Sequence, residues 1–229
     1  MNRNIIKYIA ISAMLIDHIA EFFIPEATLP WYIMRIIGRF TAPVMCYFLA
    51  EGFRYTSSTK KYGIRLFVFA VISQPAYAFV HGFSILTPKF NMIFTLFLCF
   101  LILLAYEKIE NIFLKTTVIF LLVAVSVFSD WGIIAPLWVL SFYMVNSRKN
   151  ILTFTAVSLL HVALCISNCV ANGELWYSPL WQIGVLLFIP VLLVHKKNLK
   201  KQSNFSKWFF YIFYPLHLVL IGIADTIIN

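Results

Sequence analysis

Residues 5–24 read IIKYIAISAMLIDHIAEFFI. Twenty residues of α-helix are enough to cross the hydrocarbon core of a bilayer, which is roughly 30 Å thick. Lys7, Asp17, His18 and Glu21 interrupt the apolar register. No small-x-small cleavage site follows, so the stretch reads as a retained first helix rather than a secretory signal. The rest of the chain repeats this pattern. Apolar runs cover 5–24, 31–50, 62–80, 90–106, 112–128, 131–146, 151–169, 179–195 and 207–228. The sixth and eighth are short, which suggests unusual tilt, re-entry or only partial crossing.

The composition agrees with this reading. Of 229 residues, 62% are hydrophobic and 12% charged, 23 are Phe, and mean hydropathy is +0.87. Soluble domains carry roughly 45–50% apolar and about 25% charged residues. A disordered chain, a disulfide-stapled secreted domain and an ordinary cytosolic enzyme are therefore excluded. The expectation is an all-α polytopic transmembrane helix bundle of about nine spans, forming one integral-membrane domain over residues 1–229. No internal repeat or low-complexity tract is visible.

The net charge is +9. It does not indicate nucleic-acid binding, because the cations occupy short loops between apolar runs. One side of the membrane receives Arg3, Lys7, Arg54, Lys60, Lys61, Arg65, Lys108, Lys115, Arg148 and Lys149, then Lys196, Lys197, Lys200, Lys201 and Lys207. The other side receives only Lys89, with Glu26, Asp130 and Glu174. The positive-inside bias puts the N-terminus in the cytoplasm and, with nine spans, the C-terminus outside. Cys46, Cys99, Cys165 and Cys169 lie in or at the ends of apolar runs with no metal-like pattern, so they read as buried thiols and no metal is expected.

Ionisable groups within a span cost several kcal/mol and are usually functional or paired. From Ile5 to His18 is about 20 Å of helix, which places Asp17, His18 and Glu21 in the outer half of the membrane. The second run travels back inward, so Arg35 and Arg39, one turn apart, share that depth. Gln74 before Pro75, Asn91, Tyr211, Tyr214 and His217 add polar groups from later runs. These groups could converge on one water-filled cavity open to the outside. Asp17 and His18 point about 100° apart, so Asp17 is poorly placed to orient His18. It is better placed to pair with Arg39 or Arg35, and a purely structural ion pair is the competing reading. His18 has the pKa range of a general base; an interhelical hydrogen bond is its plainer role. His161, without polar company in its run, reads as a packing residue, and His81 is assigned nothing. Pro43, Pro75, Pro136, Pro190 and Pro215 fall within spans, where each can kink a helix. The patch Arg54, Tyr55, Lys60, Lys61, Tyr62 and Arg65 reads either as a topology signal with affinity for anionic lipid or as a site for a polyanionic cofactor.

Laid side by side, these motifs resemble the TraX family, membrane proteins named for the acetylase of conjugative pilin. The resemblance is carried in order by Met14-Leu15-Ile16-Asp17-His18, by Ile37-Gly38-Arg39-Phe40 with Ala42-Pro43, and by Glu51-Gly52-Phe53 with Tyr62 and Arg65-Leu66. Gln74-Pro75, Asn91-Met92-Ile93-Phe94-Thr95-Leu96, Trp131-Gly132-Ile133 and Phe213-Tyr214-Pro215-Leu216-His217-Leu218 continue it. Between about 100 and 205 the match is otherwise one of hydropathy only. The resemblance implies a multi-pass protein of the bacterial inner membrane that moves acetyl from cytosolic acetyl-CoA to a small-molecule or peptide acceptor, originally the N-terminal amine of pilin.

On that reading Arg54, Lys60, Lys61, Arg65 and Tyr62 would bind acetyl-CoA. His18, or alternatively His217, would be the base, with Asp17 and Arg39 completing the catalytic group. Glu21, Arg35, Gln74, Asn91 and Tyr214 would line the substrate site, and Arg39, Gln74 or Asn91 could face the oxyanion. Direct attack is preferred to a covalent intermediate. Besides the lipid bilayer and acetyl-CoA, the acceptor is the expected partner; its identity and the oligomeric state stay open. Two other classes fit the same residues: a small transporter or export factor with a polar cavity, and a non-catalytic scaffold for pilus or envelope assembly.

Overall fold

A computed structural model describes residues 3–144, 148–194 and 204–228. Among them the chain is helical, with one isolated backbone bridge between Phe90 and Ser129. Ten α-helices follow in order: α1 (Arg3–Phe23), α2 (Leu29–Gly38), α3 (Thr41–Tyr55), α4 (Thr59–Val80), α5 (Met92–Lys108), α6 (Ile112–Ser126), α7 (Ile134–Met144), α8 (Arg148–Ala171), α9 (Ile189–Val194) and α10 (Asn204–Ile228). A 3-10 helix, Ser178–Phe188, runs directly into α9. Each expected apolar run is mainly helical over its described residues. Four segments, Leu29–Tyr55, Thr59–Val80, Asn150–Ala171 and Trp208–Ile228, are long and apolar enough to cross a membrane.

The second run is not one continuous helix. The Arg39 N–H lies within reach of the Arg35 and Ile37 carbonyls, and Phe40 N–H bonds to the Ile37 carbonyl, so the chain tightens there. Pro43 explains the break, because it has no N–H to offer the Arg39 carbonyl four residues back. Pro43, Pro136 and Pro190 all sit in first turns, where a missing N–H is tolerated. Only Pro75 and Pro215 lie in helix interiors. Helix starts follow side-chain capping: Thr28, Ser58, Asn91 and Asn111 each accept from backbone N–H groups of the first turn.

The chain forms two compact units. The first contains α1, α2, α3 as far as Val44, α8, the 3-10 helix, α9, and α10 up to Ile212 and from Ile223. In it, α1 turns Ile6, Ala10, Ala13, Asp17 and Ala20 inward at helical spacing. The alanines and Gly38 permit close packing: a Cβ on Gly38 would overlap the Asp17 side chain. The Thr41 hydroxyl donates to the Ala10 carbonyl at 2.9 Å.

The 3-10 helix gives this unit its particular geometry. Three residues per turn align positions i and i+3. One ridge is therefore Trp181, Gly184 and Leu187, and Gly184 lies so close to the Ile36 backbone of α2 that a Cβ would overlap it. The adjacent ridge is Gln182, Val185 and Phe188, which meets α8, with the Phe188 and Phe154 rings 5.7 Å apart. At about 2.0 Å rise over 11 residues, plus about 1.5 Å over the six of α9, the eighth run reaches about 31 Å. A run that is short by residue count is thus close to the thickness of the hydrocarbon core. The sixth run, with 11 residues in α7, reaches only about 17 Å.

The second unit contains α3 from Met45, α4 to α7, and Phe213–Gly222 of α10. Helix α5 is its centre, packing against α4, α6 and α7, and Thr95, Cys99, Ile102 and Leu103 on it are fully buried. An unmasked backbone lets α4 approach: a Cβ on Gly63 would stand 2.6 Å from the Phe100 ring.

Replacing Gly184 with Ala is expected to destabilise the protein by about 1–3 kcal/mol, because backbone rather than a flexible side chain opposes the new methyl group. A thermal melt in detergent tests this; an unchanged midpoint would show that the 3-10 helix and α2 can separate freely.

Candidate functional site

The first unit gathers Asp17, Glu21, Arg35 and Arg39 into one ion network. Asp17 Oδ1 is 3.1 Å from Arg35 Nη1, and Oδ2 pairs with Arg39 Nη2. Arg35 Nη1 also donates to Glu21 Oε2 at 2.9 Å. Asp17 and Arg35 are buried, and Glu21 is the most open of the four acidic and basic side chains. Asp17 therefore binds both candidate arginines rather than choosing one. Removing either partner from such a buried pair leaves an uncompensated charge in a low-dielectric setting.

Two tryptophans, not expected from sequence, complete the cluster. The Arg35 guanidinium carbon lies 4.5 Å and that of Arg39 4.6 Å from the Trp181 ring centre. Trp31, on the α2 face of Arg35, meets Trp181 edge to face with ring centres 5.7 Å apart. The indole faces bind the cations by cation–π attraction, strongest where water is excluded. His18 follows Asp17 on α1 and is half-buried, about 100° further round the helix.

His161 is not alone, contrary to the reading of its run. Its Nε2 lies 3.4 Å from Gln182 Oε1 on the 3-10 helix. Cys165 Sγ is 3.8 and 3.9 Å from the two ring nitrogens. The near-equal distances leave the sulfur in line with neither nitrogen, and both are long for a thiol–imidazole hydrogen bond.

Gln74, Asn91 and Tyr214 belong to the second unit, where they brace helix ends. Asn91 Oδ1 caps α5 by accepting from Ile93 and Phe94 N–H at 3.0 and 3.1 Å. Its amide donates to the Ala70 carbonyl at 2.8 Å and to Gln74 Oε1 at 2.7 Å. All four polar valences of this fully buried amide are thereby used. Gln74 Nε2 donates to the Lys89 carbonyl, and the Tyr214 hydroxyl accepts from Met92 N–H at 3.2 Å. His217 is buried; its Nδ1 donates to the Phe213 carbonyl at 2.9 Å, and its ring stacks on Phe213.

At the junction of α3 and α4, Lys60 and Lys61 are exposed in the first turn of α4, and Arg54 is exposed nearby in sequence. Cations at a helix N-terminus add to the positive end of the helix dipole, which makes this end attractive to anions. The Arg54 guanidinium lies 5.1 Å from the Tyr143 ring centre, and Arg65 lies 5.0 Å from that of Tyr62. Tyr143 in turn donates to Glu107 Oε1 at 2.9 Å. Lys196, Lys197, Lys200 and Lys201 lie outside the described residues, as do the side chains of Arg148, Lys149 and Lys207. Among the described residues no group of three or more His, Cys, Asp or Glu is arranged to hold a metal ion.

Apolar helices of spanning length with a buried ion network define a helical membrane protein. The profile of the TraX family, described as TraX protein, matches residues 2–224. The chain belongs to that family. It is 32% identical, over an alignment of 246 residues covering the whole of both chains, to the probable fimbrial assembly protein FimC, serogroup H1, of Dichelobacter nodosus. It is also 39% identical over 72 residues, 31% of this chain and 25% of the other, to an uncharacterized protein of Rickettsia prowazekii (strain Madrid E). No solved structure matches.

Asp17→Asn is expected to destabilise the first unit by about 3–5 kcal/mol, since it leaves two buried guanidiniums short of a carboxylate. Adding Arg39→Gln should recover part of the loss. Unfolding of the single and double variants checks this, and simple additivity would exclude the coupling.

Proposed function

We propose that the protein is an integral-membrane acetyltransferase, moving acetyl from cytosolic acetyl-CoA to an amine or hydroxyl acceptor presented from outside the cytoplasmic membrane of a bacterium. The observation that carries this reading is the fixed Asp17–Arg35–Arg39–Glu21 network with His18 beside it on α1. The network sets two carboxylates against two guanidiniums and two indoles, an arrangement that suits preorganised catalysis.

His18 is the proposed general base, taking the acceptor proton during direct attack on the thioester carbonyl. In the first unit, Lys7 lies eleven residues before His18, on the same helix face to within about 20° and about 16 Å away along the axis. That separation is of the order of an extended pantetheine arm, and Lys7 is buried although charged. In the second unit, Arg54, Lys60, Lys61 and Arg65 are the proposed holders of donor phosphates, by charge-assisted hydrogen bonds. Asn91 is assigned to bracing in this scheme, because both donors of its amide are used within the protein, and Gln74 shares that role through its bonds to Asn91 and the Lys89 carbonyl. The membrane arrangement that goes with the function places the N-terminus in the cytoplasm, following the positive charges.

A second reading is a part in pilus assembly, favoured by the similarity to the probable fimbrial assembly protein of Dichelobacter nodosus. The two are compatible, since an enzyme that modifies a pilin subunit would also be an assembly factor. Acetyl transfer separates an enzyme from a scaffold.

The purified protein in detergent, given labelled acetyl-CoA and a panel of amines, peptides and amino sugars, is expected to transfer label. His18→Ala should abolish transfer while the melting temperature still rises on adding coenzyme A. A fully active His18→Ala protein would move the base elsewhere, with His217 next to be tested. Replacing both Lys60 and Lys61 with Ala should raise the Michaelis constant for acetyl-CoA several-fold at unchanged turnover; an effect on membrane insertion alone would make the patch a topology signal.

A further inference from the structure

Trp31 and Arg35 stand one turn apart on α2, and each is at least nine-tenths buried, at 9% and 7% exposure. The Trp31 indole N–H and the Arg35 Nε–H have no hydrogen-bond partner among the described residues. Both belong to one cluster: the Arg35 guanidinium carbon is 5.7 Å from the Trp31 ring centre and 4.5 Å from that of Trp181. The opposite end of the guanidinium is already anchored, since its Nη1 lies 3.1 Å from Asp17 Oδ1, 3.5 Å from the Asp17 carbonyl and 2.9 Å from Glu21 Oε2. Arg35 is thus held by α1 through one nitrogen while Nε–H, on another edge, is left to bind something else. Two unmatched buried donors on one face of a helix are expensive. An acceptor atom that came within reach of both would satisfy the two donors at once.

Charge narrows the identity of that atom. Asp17 and Glu21 balance Arg35 and Arg39, so a permanently charged anion would add an uncompensated charge in a dry setting. A carbonyl oxygen adds none in the ground state and becomes negative only as it is attacked. Donors that gain most when the charge develops lower the barrier instead of merely tightening binding.

We infer that Trp31 Nε1–H and Arg35 Nε–H form the donor pair that receives the thioester carbonyl oxygen of the acyl donor, an inference that rests on the acetyltransferase reading. The acceptor's lone pair forms a bond to the carbonyl carbon, and the C=O π pair moves onto oxygen, where the two N–H groups hold it. The proton released by the acceptor passes to His18. Collapse re-forms C=O and breaks the C–S bond, whose electron pair leaves on the coenzyme A sulfur. The proton on His18 then returns to that thiolate, giving the acetylated acceptor and free coenzyme A. Trp31 becomes a catalytic residue on this assignment, through its N–H and not its ring.

The test measures release of coenzyme A thiol from acetyl-CoA by the full chain in detergent, with the acceptor panel present and with water alone. Wild type is compared with Trp31→Phe, which keeps an aromatic ring and removes the N–H, and with Trp31→His, which returns a ring N–H. Trp31→Phe should lower kcat by about 100-fold, the usual effect of losing one oxyanion donor. Its KM for acetyl-CoA and its melting shift with coenzyme A should stay at wild-type values, and Trp31→His should recover about ten-fold of the loss. An unchanged kcat in Trp31→Phe overturns the inference and leaves an ordered water as the acceptor. So does a loss that Trp31→His does not relieve, or one accompanied by a lost coenzyme A shift, which marks a packing role. Thiol release absent from wild type itself overturns the enzyme reading and this inference with it, an outcome distinct from the others because it precedes any substitution.

Discussion

Asp17 lies in an apolar helix and is held by Arg35 and Arg39 from the next one. A carboxylate at that depth is tolerable only with such partners, and the arginines are tolerable only with it. The requirement shapes the surrounding chain. Gly38 lacks a side chain where Asp17 lies against it, and the alanines at 10, 13 and 20 leave room for the approach. The break between α2 and α3 falls at Arg39, so the residue that closes the network is also the residue at which the helix ends.

The 3-10 helix forms the second wall. Its three-residue turn places Trp181 over the guanidiniums and Gly184 against the α2 backbone, while Gln182 and Phe188 reach α8. An α-helix would have spread these contacts over different angles and would have been shorter. The tighter winding lengthens the segment and aligns the two ridges at once. A run of eleven 3-10 residues is unusual, since its hydrogen bonds are poorer, and packing against α2 and α8 is what sustains it.

The second unit uses polar side chains differently. Asn91, fully buried, caps α5 and ties it to α4 through Ala70 and Gln74, and the Tyr214 hydroxyl satisfies the N–H of Met92. These bonds satisfy backbone groups that lipid would leave bare. Fully used polar groups such as the Asn91 amide point to bracing, whereas Trp31 and Arg35 each keep a buried donor without a partner among the described residues. Side chains that hydropathy alone puts into one category therefore separate by how many of their hydrogen bonds are already made.

The sequence by itself determined that the chain is helical, where each run lies, and which family it belongs to. Apolar length and helical periodicity are local properties, legible residue by residue. The wheel positions of Asp17, Arg35 and Arg39 were enough to anticipate their pairing, though not that one carboxylate would serve both arginines. Tertiary structure alone decided the parts of Trp31, Trp181, Gln182 and His161. Tryptophan in an apolar run carries no local sign of its partner, and a segment read with a period of 3.6 misassigns every face when the chain winds at 3.0. Which winding is adopted depends on the neighbours it packs against, and those neighbours, α2 and α8, are distant in sequence.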